Sequence, residues 1–406
     1  MLYRLLLVIC CCILVQLLGL STSESLPLCP PADADHIPTC PPSTQTNTAN
    51  IDWELVNNSI IMCYSSYCCW SSLYPWTCPD SICGGNPFFE TLEVKEVVSP
   101  ADPTGFSFKG GLQYFVANQT DTGTFYLVFR GSDDKVNWLT DLASLIPEHY
   151  PSSNDPEKVG LGFKDAWLDV KQHVVASLRD SGCVERSSCN LVILGHSLGG
   201  AIATLAAYDF AYEIGTQNFW DINVMTFGSP RVGNCAFQSK YENAGINSLR
   251  FVNYNDTIPH YPYSYPHFGL EYVHVNEEVW MDNPESPWQN VTCPTTEDPN
   301  CSRSVNICSL VYNVEHINET LWEHRRYMGY DLETFCDAWV PVIDQCPPNP
   351  QNYTSTPTVT ETPTPTPSAT PNVTVTPSPT PNPFQFPIIS QNITSNWLTY
   401  INVWTC

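Results

Sequence analysis

The sequence predicts an α/β fold, with a mostly parallel central sheet covered by helices on both faces. Three observations predict it. A short apolar strand, Leu191-Val192-Ile193-Leu194, runs directly into Gly195-His196-Ser197-Leu198-Gly199-Gly200 and then into an apolar helix, Ala201 to Ala207. Two further apolar strands, Ile222 to Phe227 and Leu249 to Asn253, end at Gly228 and close to Asp256. Residues 160–178 carry Phe163, Ala166, Trp167, Val170, Val174 and Leu178 at helical spacing, and strands that alternate with helices pair in parallel.

Taken in order, the chain opens with Arg4 and an apolar run from Leu5 to Leu20, broken only by Gln16 and followed by Ser21-Thr22-Ser23. The run is short for a membrane span and has the charge, apolar stretch and polar exit of a secretory signal. Residues 1–20 are therefore expected to be a signal peptide and the chain to be secreted, with an endosomal or lysosomal lumen as the alternative. Residues 21–55, rich in Pro, Ser, Thr and Asp, read as a flexible leader. The main body is expected over 56–345, including a Cys- and Trp-rich stretch from Cys63 to Cys83 that packs on the rest. Within it, Gly110 to Ala117 and Thr124 to Arg130 read as strands on either side of the turn Asn118-Gln119-Thr120-Asp121. Residues 354–383 repeat Thr-Pro and form an extended stalk, and 384–406 are a tail with no assigned role.

Sixteen of the 19 cysteines follow the signal, which suits an oxidising compartment. The spacings of Cys78 with Cys83 and Cys183 with Cys189 suggest local bridges, while Cys63, Cys68 or Cys69 can tie the N-terminal region to Cys336 or Cys346. No histidine is spaced with cysteines as in a zinc module, so neither metal nor cofactor is expected. The formal net charge of -25, from 16 Lys plus Arg against 41 Asp plus Glu, argues against a nucleic-acid partner and against electrostatic adhesion to anionic lipid. No stable protein partner is expected.

The chemistry-bearing signal is the serine between glycines. A strand that turns sharply into a helix at Gly195-His196-Ser197-Leu198-Gly199 exposes the serine hydroxyl, and side chains in place of the flanking glycines would collide with neighbouring backbone. Such a serine needs a base, and the base needs an orienting carboxylate. With this turn, the acid and then the histidine follow at the carboxyl ends of later strands. Asp256 sits just past a strand and is the candidate acid. His316 and His324 are both late enough to be the base, and residue pattern alone gives His324 only a small lead. The oxyanion of a tetrahedral intermediate needs two donors, for which the backbone N–H of Leu198 and Ser132, after the strand ending at Arg130, are the candidates. Residues 133–142 place Val136, Leu139 and Leu142 near one helical face with Trp138 beside them.

Taken together, Tyr126-Leu127-Val128-Phe129-Arg130-Gly131-Ser132, Asn137-Trp138-Leu139-Thr140-Asp141-Leu142, Gly160-Leu161-Gly162-Phe163, the serine pentapeptide, Thr226-Phe227-Gly228-Ser229-Pro230-Arg231-Val232-Gly233 and Asn255-Asp256-Thr257-Ile258-Pro259 carry a resemblance. Over roughly residues 60–340 the chain resembles the class 3 lipases, the fungal-type triacylglycerol lipase family of the α/β-hydrolase fold. The resemblance implies Ser197 as nucleophile, Asp256 as acid, and Ser132 with Leu198 as the oxyanion pair. The family histidine stands in an acidic-His-x-x-Tyr sequence, and Glu323-His324-Arg325-Arg326-Tyr327 is similar to it, which favours His324. It also implies that Val136, Trp138, Leu139 and Leu142 belong to a lid over the pocket. Departures are Glu323 where the family often has Asp, the added cysteines between Cys293 and Cys308, and the Thr-Pro stalk.

The expected function is that of a secreted serine ester hydrolase acting on lipid esters, most directly triacylglycerol, at an oil–water or membrane interface. Phospholipase A1, galactolipase or feruloyl esterase activity uses the same residues. An inactive lipid-binding or adhesion protein is the non-enzymatic alternative.

Overall fold

The structure is a computed structural model that describes residues 37–338, apart from 39, 41–50, 100–111, 133–145, 184–188, 215–220, 265–268, 284–285, 287–288, 294 and 306–320. The signal, the stalk, the tail, His316 and the expected lid residues Val136, Trp138, Leu139 and Leu142 lie outside the described residues. All described residues fall within the compact unit Leu28–Asn352. No helix among them is long and apolar enough to cross a membrane.

Helix α1 spans Trp53–Ser65 and starts inside the stretch read as leader, because Asp52 caps it by accepting from the Glu54 and Leu55 N–H groups. Strand β1, Leu92–Val98, then pairs antiparallel with β2, Tyr114–Gln119, and β2 with β3, Thr124–Phe129. The expected strand ending at Ala117 runs on through Asn118 and Gln119, which pair with Phe125 and Thr124 and shorten the turn. A small hairpin follows, β4 at Pro147–His149 and β5 at Lys158–Gly160. It leads into helix α2, Leu161–Asp180.

Next come β6, Asn190–His196, helix α3, Leu198–Asp209, strand β7, Asp221–Phe227, helix α4, Cys235–Asn243, and β8, Asn247–Asn253. Strands β9, Glu278–Met281, and β10, Val291–Cys293, complete an eight-stranded sheet of order β1-β2-β3-β6-β7-β8-β9-β10. Its centre, from β3 through β9, is parallel, and both edges are antiparallel. This is the α/β-hydrolase architecture, a mostly parallel sheet between helices.

Side chains alternate along β6. Leu191 and Ile193 join α2 and α3 in one core, while Val192 and Leu194 join α1 in the other. Every residue of α3 is buried, so its polar end needs internal partners. Asp209 finds three: the Tyr150 hydroxyl at 2.6 Å, Trp167 Nε1 at 2.7 Å and Lys171 Nζ at 2.7 Å.

The disulfides include the two local pairs, Cys78–Cys83 and Cys183–Cys189, and Cys68–Cys336, which binds the end of α1 to the segment after His324. Cys63 is buried and reduced, because it lies on the inner face of α1. Two bridges that spacing does not suggest join Cys40 to Cys235 and Cys293 to Cys301.

Besides His324, three histidines are buried among the described residues: His196, His260 and His274. Burial first, and nearby cationic or imidazole groups second, push His196 and His260 down to about 3 and hold His274 well below the ordinary range. The unfolded chain therefore binds these protons before the folded one does. Their effect on stability is absent above about pH 6.5 and grows as pH falls below it, to about 2 kcal/mol lost for each of His196 and His260 at pH 5, with His274 acting in the same direction. Urea melts at pH 7 and pH 5 check this. His260→Leu is expected to flatten the pH dependence, and an unchanged slope would rule the account out.

Candidate active site

The carboxyl ends of the parallel strands build the site. Ser197 follows β6 at φ 62°, ψ -131°, a conformation costly for a side-chain-bearing residue. Contacts on both sides hold it there. A Cβ on Gly195 would lie 2.1 Å from the Gly199 carbonyl oxygen, and one on Gly199 would lie 2.2 Å from that of Phe129. The Ser197 N–H donates to Phe227 O at 2.9 Å, so β7 fixes the turn from its other flank.

Leu198 is the first residue of α3, and its N–H belongs to the helix-start donors that have no acceptor within the helix. Gly131, next to Ser132, packs on the Ser197 turn: a Cβ there would come within 2.9 Å of Ser197 Cβ. Ser132 Oγ is buried and has no hydrogen-bond partner among the described residues.

Asp256 follows β8 and is fully buried. Its carboxylate accepts from Ile258 N at 2.9 Å, from the Tyr327 hydroxyl at 2.6 Å, and from His324 Nδ1 at 2.9 and 3.0 Å. Because Nδ1 carries the proton that Asp256 holds, Nε2 of a neutral His324 is left as the basic nitrogen. Gly228, at φ 58°, stands against both groups, and a Cβ there would come within 2.6 Å of Asp256 Oδ2 and 2.8 Å of His324 Nδ1. Only a glycine tolerates that approach.

Residue pattern gave no role to the groups that join these parts. His196 Nε2–H donates to the His324 carbonyl oxygen at 2.8 Å, which leaves Nδ1 to accept from the Tyr67 hydroxyl at 2.8 Å. Its ring lies 4.6 Å, centroid to centroid, from that of His324. Asn253 Nδ2 donates to Glu323 O, Glu323 Oε2 and Arg326 O, pinning the short helix Glu323–Arg325 to the end of β8. Burial holds the Glu323 carboxyl above its ordinary range despite the Asn253 hydrogen bond. Tyr327 stands three residues after the histidine in Glu323-His324-Arg325-Arg326-Tyr327, and that place is the signal in the sequence for its contact with Asp256.

Glu278, Cys293 and Cys301 bring ligand atoms within 4.8 Å of one another. The two sulfurs are joined as a disulfide and Glu278 pairs with Arg250, so this group offers no thiolate to a metal.

Residues 126–265 match the family described as Lipase (class 3). A lipase of Rhizomucor miehei is 34% identical over 190 residues, which are 47% of this chain and 50% of that protein. The secreted mono- and diacylglycerol lipase A of Penicillium cyclopium is 33% identical over 184 residues, 45% of this chain and 55% of that protein. The chain spans about half the length of these two relatives. A solved structure of a triacylglycerol lipase, whose catalytic centre is described as a serine protease triad, is similar at TM-score 0.56 and 27% identity, over 72% of this chain and 99% of that one. By sequence match and relatives, residues 126–265 are similar to the class 3 lipase family, and the chain shares the fold of a solved triacylglycerol lipase.

Proposed function

We propose that the protein is a secreted serine hydrolase that cleaves acyl esters of lipids, triacylglycerol first among them, through an acyl-enzyme. The observation that carries this reading is the strained Ser197 at the end of β6, next in sequence to His196, whose ring packs 4.6 Å from His324 of the buried His324–Asp256 pair. Ser197 Oγ attacks the ester carbonyl while His324 Nε2 takes its proton, and Asp256 stabilises the imidazolium that forms. Leu198 N–H and Ser132 hold the developing oxyanion. His324 then protonates the leaving alcohol, and a water molecule, deprotonated by the same nitrogen, releases the fatty acid. The relatives' lipid-ester names and one relative's description as secreted support substrate class and location. The lid role of Val136, Trp138, Leu139 and Leu142 remains part of this proposal, as their apolar character suits contact with an oil surface.

The product profile of the purified protein on emulsified triacylglycerol and on phospholipid tests the substrate. Fatty acid release is expected from the first in excess of the second, and the reverse would make the protein a phospholipase A1. Ser197→Ala is expected to lower kcat by about 10⁴-fold or more without loss of folded structure. His324→Ala is expected to match it, while His316→Ala retains turnover; a reversed result would move the base to His316.

Tyr327→Phe deletes one hydrogen bond to the buried carboxylate and leaves the ring in place. A hydrogen bond to a charged group is worth about 1.5–3 kcal/mol, so kcat is expected to fall about 10–100-fold with little change in KM. A loss smaller than about twofold would remove Tyr327 from the site.

A further inference from the structure

The turn that follows Asp256 is gripped from outside the triad. Four consecutive carbonyl oxygens each accept from a buried group: Pro259 O from His274 Nε2 at 2.6 Å, His260 O from Arg231 Nη1 at 2.5 Å, Tyr261 O from the Arg231 backbone N–H at 2.8 Å, and Pro262 O from Arg231 Nη1 at 3.2 Å. Both residues are tied to one carboxylate. Glu297 accepts from Arg231 Nε at 2.9 Å and Nη2 at 3.1 Å, and from the His274 backbone N–H at 3.0 Å. The Arg231 and Glu297 side chains are 2% and 11% exposed, so the fork-to-fork pair acts with little solvent screening.

Glu297 reaches this position on the loop closed by Cys293–Cys301, within the region whose added cysteines depart from the family pattern. The loop is anchored again by Arg250, which donates to Thr296 O and pairs with Glu278, while Glu278 also accepts from Ser302 N. Burial would lift the Glu297 carboxyl, but Arg231, Arg250 and the His274 N–H outweigh it and hold the group below the ordinary carboxylate range. The carboxylate therefore stays charged, and its grip on Arg231 persists, as pH falls into the acid range.

The far end of the turn determines its near end. His260 N donates to Thr257 O and Tyr261 N to Ile258 O, and Ile258 N is the donor that orients Asp256 Oδ1. We propose that Glu297, Arg231 and His274 form a clamp, supplied by the Cys293–Cys301 loop, that positions Asp256 against His324. The proposal rests on the ester-hydrolase reading for its kinetic consequence. Glu297, Arg231 and His274 act through Asp256 and are positioning residues.

Glu297→Gln tests it. With Asp256 less well held, the imidazolium of His324 is less stabilised, so the acid limb of kcat/KM is expected to move to lower pH by about 0.5–1 unit. kcat is expected to fall about 10-fold with KM within about twofold, measured well below the melting temperature. Arg231→Lys, which keeps the charge but loses the fork, is expected to do the same and serves if Glu297→Gln fails to fold. A variant that only melts earlier, with kcat and the acid limb as in the parent, overturns the clamp. The low-field proton resonance of the His324–Asp256 hydrogen bond reads the same geometry without turnover. If the parent hydrolyses no ester, the functional reading fails. The clamp then stands if that resonance shifts or vanishes in Glu297→Gln, and falls if it does not.

Discussion

The contact on which the rest depends is the close approach of α3 to the ends of β3 and β6. The Gly199 oxygen lies 2.1 Å from where a Gly195 Cβ would be, and the Phe129 oxygen 2.2 Å from where a Gly199 Cβ would be, far inside contact distance. This crowding forces the chain to reverse at Ser197 with positive φ, which lifts the hydroxyl off the sheet and aims the helix start at it. A twelve-residue helix buried along its whole length holds that strain, because moving it would empty the core on one face of the sheet.

Around the turn, positions are fixed by hydrogen bonds from buried groups rather than by surface ion pairs. His196 carries the signal across in one direction, from the Tyr67 hydroxyl to the His324 backbone. Asn253 and Tyr327 carry it in the other, binding the histidine segment to β8 and Asp256. The Cys68–Cys336 bridge closes the same circuit covalently, one residue after Tyr67 and twelve after His324. A group held this way loses little geometry to thermal motion, which suits proton transfer between fixed atoms.

Much of this is legible in the sequence where the signal is local. Strand, glycine-flanked serine and apolar helix stand within twenty residues of one another, and Asp256 directly follows an apolar strand. The eight-stranded sheet is legible in its parallel centre but not at β9 and β10, which are too short to show an alternation, nor at β1, where the alternation from Leu92 to Lys95 breaks at a register shift between Val94 and Glu96. His324 was separable from His316 only through a family motif, since a loop histidine leaves no periodic trace. Glu297 is the extreme case. It lies 66 residues from Arg231, and nothing in its surroundings reveals a carboxylate that will be buried. Long-range pairs such as Cys40 with Cys235 are equally silent, because composition supplies the sulfurs without the topology that joins them.

The central claim is that the strained turn makes Ser197 uniquely nucleophilic among the serines of the chain. Its most direct measurement is reaction of the folded protein with a fluorophosphonate, followed by intact mass and peptide mapping. A single adduct is predicted, on the peptide containing Ser197, and it should vanish on unfolding in urea before labelling. Absence of an adduct in the folded protein, or an adduct placed on Ser132 or another serine, would contradict the account.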